Sequence, residues 1–419
     1  MPSVTARADA LRDAAERIEG LAPLLVSRLV THRLRTLRLA MRDVAVALQR
    51  LRELAEAIET IAAGPPAGTV AILLPGNAAL AAPLAVIGAA LAAGNRVVVR
   101  LPRRTAWVRE ALESILLPVG LPFAVVDEAG PDFVGQALAP GGADVTVLFG
   151  DDRWVLEYED LARRGGRKVI VEGPGKDPFL VLPGADVDAA VAALVRGGCY
   201  NGGQACTSPE RVYVHASLLE PFLARLVSRM EALVVGPPDD PRTDIGPFTS
   251  PAIVERILRQ VTGALAQGAS LLWPAGTDML ARPAPGGGTF LRPVVLTGLR
   301  HDMAVMREET FGPVFPIVPV ASVDEAVALA EDSAYGLSAT VFGGTPPVAA
   351  RLRRSHGLVF EQEIWLDFYD REPLGPVGGF KRSGWVWEWV GNAFVRREGP
   401  RDMLAECSRP AAPGAPPCR

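Results

Sequence analysis

Thr69-Val70-Ala71-Ile72-Leu73-Leu74-Pro75-Gly76-Asn77 decides the architecture of the chain. The first six residues make an apolar run of strand length, and Pro75-Gly76 ends it in a turn. Ala78–Ala93 follows and is apolar on every side, which predicts a buried helix. Arg96-Val97-Val98-Val99-Arg100 predicts a second strand. Further strands are expected at Phe123–Val126, Val145–Phe149 and Lys168–Val171, with helices at Ala106–Leu117 and Trp154–Arg163. Strands alternating with helices indicate a parallel sheet covered on both faces. Such sheets bind ligands beyond the carboxyl ends of their strands. The residues standing there are Pro75-Gly76-Asn77, Arg100 to Arg104, Gly150-Asp151-Asp152 and Glu172-Gly173.

Before this stretch, residues 4 to 63 read as helical. Leu37, Met41, Val44, Leu48, Leu51, Ala55 and Ile58 recur three and four apart, which predicts a helical layer on a core. Gly64-Pro65-Pro66 ends it. After it, a second α/β unit is expected. Its strands are Phe179–Leu182, Arg211–His215, Leu271–Trp273 and Val294–Leu296, followed by the segment Met306–Val320. Its helices are Leu218–Val234, Ala252–Gln267 and Val323–Ala330. The Pro/Ala/Gly-rich tail from Ser408 onward reads as disordered.

With 419 residues, 49% hydrophobic and 21% charged, the chain has the profile of a soluble globular protein of two or three domains. Its net charge of −4 is too mild to favour nucleic acid or an anionic membrane as partner. Only three lysines occur, Lys168, Lys176 and Lys381, so arginine fills the basic role. Cys199, Cys206, Cys407 and Cys418 form no C-x-x-C pair and have no metal-ligand spacing with the four histidines. That pattern, with no signal sequence and no apolar run of membrane length, leads us to expect a reduced, cytoplasmic location.

Of the cysteines, Cys206 stands in Asn201-Gly202-Gly203-Gln204-Ala205-Cys206-Thr207, after an amphipathic helical run from Val187 to Val195. Two glycines permit a tight turn and close approach of backbone to a ligand. A thiol beside free backbone N–H groups can be activated as a nucleophile, although a lone cysteine is commonly a small buried hydrophobe.

Five motifs taken together resemble the aldehyde dehydrogenase superfamily. The Cys206 stretch is similar to N-x-G-Q-x-C, and Glu172-Gly173-Pro174-Gly175-Lys176-Asp177-Pro178 to E-L-G-G-K-x-P. Pro75-Gly76-Asn77 with Leu91-Ala92-Ala93-Gly94-Asn95 resembles P-W-N followed by L-A-A-G-N. Glu308-Glu309-Thr310-Phe311-Gly312-Pro313-Val314 resembles E-E-x-F-G-P-V, and Gly378-Gly379-Phe380-Lys381-Arg382-Ser383-Gly384 resembles G-G-F-K-x-S-G. The order is kept from about Gly68 to Gly384, in a chain shorter and more divergent than is usual for the family.

The resemblance implies a Rossmann-like nucleotide-binding domain and a second α/β catalytic domain. In this chain they would be residues 65–173 with about 373–407, and residues 174–372. Residues 1–64 would layer on the former, with 408–419 as the tail. It implies oxidation of a small-molecule aldehyde to an acid, with NAD or NADP as cofactor. Cys206 would attack the aldehyde carbon, Asn77 and the Cys206 N–H would hold the oxyanion, and Glu172 would be general base. Glu309 would hold the nicotinamide ribose and Phe311 would lie beside the ring. Arg100 would reach the adenosine ribose, and Pro75, Gly76, Gly150 and Gly173 would line the dinucleotide.

Two departures from the family pattern keep alternatives open. The usual K-P-S-E is Arg100-Leu101-Pro102-Arg103-Arg104, whose arginines either pair with a 2′-phosphate of NADP or form a solvated loop. F-T-G-S is replaced by Phe149-Gly150-Asp151-Asp152, whose carboxylates either cap the next helix or weaken the nucleotide site. A fold that has lost its cofactor, or coenzyme A in place of water, are the competing readings. The short connection before Thr69 leaves little room for an oligomerising arm, so a monomer or an atypical dimer is expected. The acidic, aromatic segment Glu361 to Glu372 either attracts a cationic aldehyde or is a solvated loop.

Overall fold

The structure, a computed structural model, describes residues 2–60, 64–77, 79–102, 106–276, 280–344 and 346–408. Strands β1 (Thr69–Leu73), β2 (Arg96–Arg100), β3 (Phe123–Val126), β4 (Val145–Phe149) and β5 (Lys168–Glu172) form a parallel array. Each lies where the apolar runs of the sequence put it. Alternation along β1 sends Val70 and Ile72 to one buried face and Ala71 and Leu73 to the other. A strand covered on both faces has no polar side, and the run is therefore apolar throughout.

One face is covered by α1 (Val4–Arg33), α2 (Leu37–Thr60), α3 (Ala81–Ala92) and α4 (Ala106–Leu116). The continuous helical stretch expected from residue 4 to 63 is broken at Leu34, whose left-handed φ of 52° ends α1. Residues 61–63 lie outside the described residues. Helix α3 is shorter than the expected Ala78–Ala93, and Ala78 is likewise not described. Gly88 of α3 lets α2 approach closely: a Cβ there would stand 2.8 Å from Leu54 Cδ1. The other face carries α5 (Gly130–Leu138), α6 (Asp152–Leu156) and α7 (Glu159–Gly165). The last two replace the single helix expected at Trp154–Arg163.

The second sheet contains β6 (Asp177–Val181), β7 (Pro209–His215), β8 (Ser270–Trp273), β9 (Val294–Thr297), β10 (Val314–Val320), β11 (Ser338–Phe342) and β12 (Leu358–Glu361). Its order is β12-β11-β6-β7-β10-β9-β8, parallel except for β8. Helix α8 (Val187–Cys199) packs on it and runs into the Cys206 loop.

The chain then returns to the first sheet with β13 (Gly384–Val390) and β14 (Ala393–Arg397), giving the order β14-β13-β5-β4-β1-β2-β3. Both are antiparallel additions that the sequence reading missed. Their signals are the alternating Trp385, Trp387 and Trp389 and the two-residue loop Gly391-Asn392, where Gly391 takes φ 60°. The order runs outward from β1 through β2 and β3 on one side, and through β4 and β5 on the other. A crevice opens at that reversal, beyond the ends of β1 and β4. No described helix is long and apolar enough to cross a membrane.

Candidate active site

The crevice is one end of a cleft of about 1370 Å³ that continues between the two sheets. The residues that the resemblance assigns to catalysis and to the dinucleotide all line it. Pro75, Gly76 and Asn77 follow β1, Arg100 ends β2, Gly150 follows β4, and Glu172-Gly173 close β5. Cys206, Glu309 and Phe311 come from loops of the second sheet. Arg103 and Arg104 lie outside the described residues.

Cys206 is open to the cleft at its floor. Its loop is held by a local exchange: Gln204 Nε2 donates to Asn201 O (2.8 Å), and Asn201 Nδ2 donates to Gln204 O (3.1 Å). Asn201 has a left-handed φ of 51°, a conformation asparagine tolerates. Gly203 presses on the Phe311 loop so closely that a Cβ would lie 2.4 Å from Gly312 C. Gly175 approaches from the other side, where a Cβ would lie 2.1 Å from Cys206 O. These glycines let three loops meet at one sulfur. Asn77 joins them through Nδ2, 3.5 Å from Gln204 O.

Desolvation, with the charges of Asp177, Glu309 and Glu172, pushes the Cys206 thiol up to about 12. It is therefore protonated at neutral pH and needs a base to become nucleophilic. Glu172 is buried, and burial raises its pKa while Arg401 pulls it down and Glu406 raises it. Arg401 Nε stands 3.5 Å from Glu172 Oε1. The Arg401 side chain is only 1% exposed, and its three nitrogens have no hydrogen-bond partner among the described residues. Gly378 and Gly384 make the space for it, since a Cβ at either would come within 2.2 or 2.7 Å of the guanidinium. No motif marks Arg401 as part of the site.

The Glu309-Thr310-Phe311 turn rests on a buried network. Glu210 accepts from the N–H of Thr310 (2.7 Å) and of Phe311 (2.6 Å), and pairs with Lys176 Nζ (2.8 Å). Lys176 also donates to Thr310 Oγ1 (2.9 Å). The bidentate grip holds Phe311 at φ 59°, an uncommon conformation for an aromatic residue. Glu309 accepts from Gly175 N (3.3 Å) and lies 3.8 Å from Arg256. Burial, then the Glu210 charge, raise it to about 8. Sequence reasoning found the turn but not Glu210, which sits in no motif. Arg211, on β7, is a buried tether: it donates to the carbonyls of Lys176, Leu329 and Ala330.

At the crevice, Arg100 Nε donates to Glu128 O (3.2 Å) while the residue lines the cleft. Asp151 caps α6, accepting from Arg153 N (2.9 Å), and is ion-paired with the Arg153 side chain. The capping alternative thus holds for Asp151. The cleft exceeds the roughly 300–1,000 Å³ of a single small-ligand pocket. At the opposite end it is walled by Tyr200, Trp365 and Tyr369 and by arginines from α1, α2 and their connection. Four of the five carboxylates of the acidic segment are ion-paired, and Glu372 has no ion-pair partner among the described residues. Glu361 pairs with Arg353, Glu363 with Arg371, Asp367 with Arg196 and Asp370 with Arg42.

The model of the family described as the aldehyde dehydrogenase family matches residues 2–396. The chain is 34% identical over 326 residues to 2-hydroxymuconic semialdehyde dehydrogenase of Pseudomonas sp. (strain CF600), covering 76% of this chain and 66% of that protein. It is 36% identical over 303 residues to betaine aldehyde dehydrogenase 2 of Rhizobium meliloti (strain 1021), covering 70% of this chain and 60% of that one. The aligned part thus spans less than two thirds of these relatives' length. Among solved structures, NAD-dependent aldehyde dehydrogenase from Sinorhizobium meliloti superposes with a TM-score of 0.84 at 26% identity, covering 99% of this chain and 84% of the other. A 3,6-anhydro-L-galactose dehydrogenase in complex with NAP gives 0.83 at 25% identity, covering 96% and 86%. With the family match running over nearly its whole length, the chain belongs to the aldehyde dehydrogenase family.

Proposed function

We propose that this cleft oxidises an aldehyde to a carboxylic acid, with NAD or NADP as oxidant. The observation that carries the reading is the meeting of Cys206, Glu172 and Asn77 at one floor, below a crevice of dinucleotide type. The first sheet with α1 and α2 is the cofactor domain, and residues 174–372 are the catalytic domain.

Glu172 takes the thiol proton, directly or through water, and Cys206 Sγ attacks the aldehyde carbon. The aldehyde oxygen becomes an alkoxide that Asn77 Nδ2 and the Cys206 N–H stabilise. The dinucleotide, when bound, supplies the two-electron acceptor and leaves an acyl thioester on Cys206. Once Glu172 has released that first proton to solvent, it removes a proton from the water that attacks the thioester and passes it to the departing Cys206 thiolate, which releases the acid and restores the thiol. Glu309 is suited to hold ribose hydroxyls, and Phe311 to flank the ring. Pro75, Gly76, Gly150 and Gly173 offer backbone on the crevice side, and Arg100 stands at the adenosine end.

A second reading, a family fold with a weakened nucleotide site, is favoured by Asp151. Its carboxylate occupies the Arg153 N–H, which would otherwise be free at the start of α6. Calorimetric titration with NAD and with NADP separates the two. Binding of either, with aldehyde-dependent absorbance of the reduced nicotinamide that Cys206→Ala abolishes, supports oxidation. No binding of either dinucleotide overturns it.

A further inference from the structure

The end of the cleft beyond Cys206 carries an excess of positive charge. Arg33, Arg35, Arg42 and Arg50 line it, against the carboxylates of Asp43 and Asp370. Arg35 stands 3.6 Å from Asp43, and Arg42 is paired with Asp370. Arg33 and Arg50 have no carboxylate within ion-pair distance among the described residues. Arg33 donates to Gly76 O. Its neighbours act on it in opposite senses: burial and Arg35 lower its pKa, to about 10, against Asp43.

Arg50 is the better placed of the two. Its Nε is buried without a partner, and Nη1 reaches Ala81 O only at 3.5 Å. The guanidinium lies 5.8 Å from the centre of the Tyr369 ring. Tyr369 lines the same cleft as Cys206 and Glu172. Glu53, three residues along α2, is held by Gln49 Nε2 at 2.9 Å and is not paired with Arg50. A buried guanidinium with an open donor costs free energy unless a ligand satisfies it. Of the acidic segment, Glu361, Glu363 and Asp367 are taken by Arg353, Arg371 and Arg196, and Asp370 offsets Arg42 and not Arg50.

Resting on the proposed oxidation of an aldehyde, we infer that the substrate is an ω-oxo acid, whose distal carboxylate is taken by Arg50 beside Tyr369. An anionic tail is met by the Arg50 guanidinium where it lines the cleft, and offsets the excess charge. A cationic tail meets uncompensated arginine, and a neutral one leaves the donor unpaired.

The test compares succinic semialdehyde, butanal and 4-aminobutanal as substrates of the full chain, and titrates glutarate as a probe independent of turnover. We expect kcat/KM for the semialdehyde to exceed that for butanal by about tenfold or more. Arg50→Gln collapses that ratio and weakens glutarate binding by a similar factor, whereas Arg50→Lys, which keeps the charge, retains part of both. If butanal or 4-aminobutanal is used as well as the semialdehyde and Arg50→Gln does not move the ratio, the inference is overturned while oxidation stands. Were no aldehyde oxidised but glutarate bound in an Arg50-dependent way, the anion site would stand and the oxidation would fall. Absence of both turnover and glutarate binding removes both.

Discussion

In the proposed reaction Glu172 acts as a base while largely buried, and Arg401 is the charge that opposes the effect of that burial. Burial favours the neutral acid, and the neighbouring guanidinium favours the carboxylate. Activity that needs the carboxylate is lost as pH falls through the Glu172 pKa. Arg401→Met removes the opposing charge, so that pKa moves up and the acidic limb of kcat/KM moves to higher pH. An opposite charge at this range is worth about 1–3 pH units. A purely structural role would lower activity at every pH and leave the limb in place. Breaking one side of a buried pair costs about 3–5 kcal/mol, so the folded fraction is measured alongside by circular dichroism. That Cys206, Glu172 and Asn77 share one cleft was legible from their motifs. Arg401 was not, because its position depends on a strand pair that returns to the first sheet more than two hundred residues after Glu172.

At the scale of elements, α6 matters most to the cofactor. It is five residues long, with Asp151 seated on its first free N–H. A carboxylate there stabilises the helix but competes with a pyrophosphate for the same donor and repels it. Burial opposes ionisation of Asp151, while the hydrogen bond from Arg153 holds its carboxyl below the usual range, so the charge is present at neutral pH. Asp151→Ser keeps a capping oxygen and removes the charge. We expect dinucleotide to bind about two- to fivefold more tightly to that variant, from a contribution of roughly 0.3–1 kcal/mol. Unchanged affinity in calorimetry would mean that the phosphates do not approach α6. The five parallel strands of the first sheet were readable because they lie between two covering layers of helices. The split into α6 and α7 was not, since helices this short follow loop contacts more than apolar spacing.

The whole molecule joins two sheets through few but specific contacts from α2 and the connection before it. Leu37 N donates to Pro238 O (2.9 Å), and a Cβ on Gly246 would stand 2.7 Å from Leu34 O. Arg38 and Arg42 pair with Asp244 and Asp370. The alternation of strands and helices announced both sheets; these cross-contacts lie between residues some two hundred or more positions apart, and no local pattern carries them. A dinucleotide bound in the cleft would touch Pro75 and Gly150 on one side and Glu309 and Phe311 on the other, so it adds to the coupling. Ligand that binds only the folded state stabilises it by RT ln(1 + [L]/Kd), about 2.7 kcal/mol at a hundredfold excess over Kd. If both sheets share the site, the whole chain melts in one transition that rises by several degrees with dinucleotide. Scanning calorimetry reads this directly. Two transitions, of which only the lower or only the upper responds, would assign the dinucleotide to one sheet alone and take Glu309 and Phe311 out of its site.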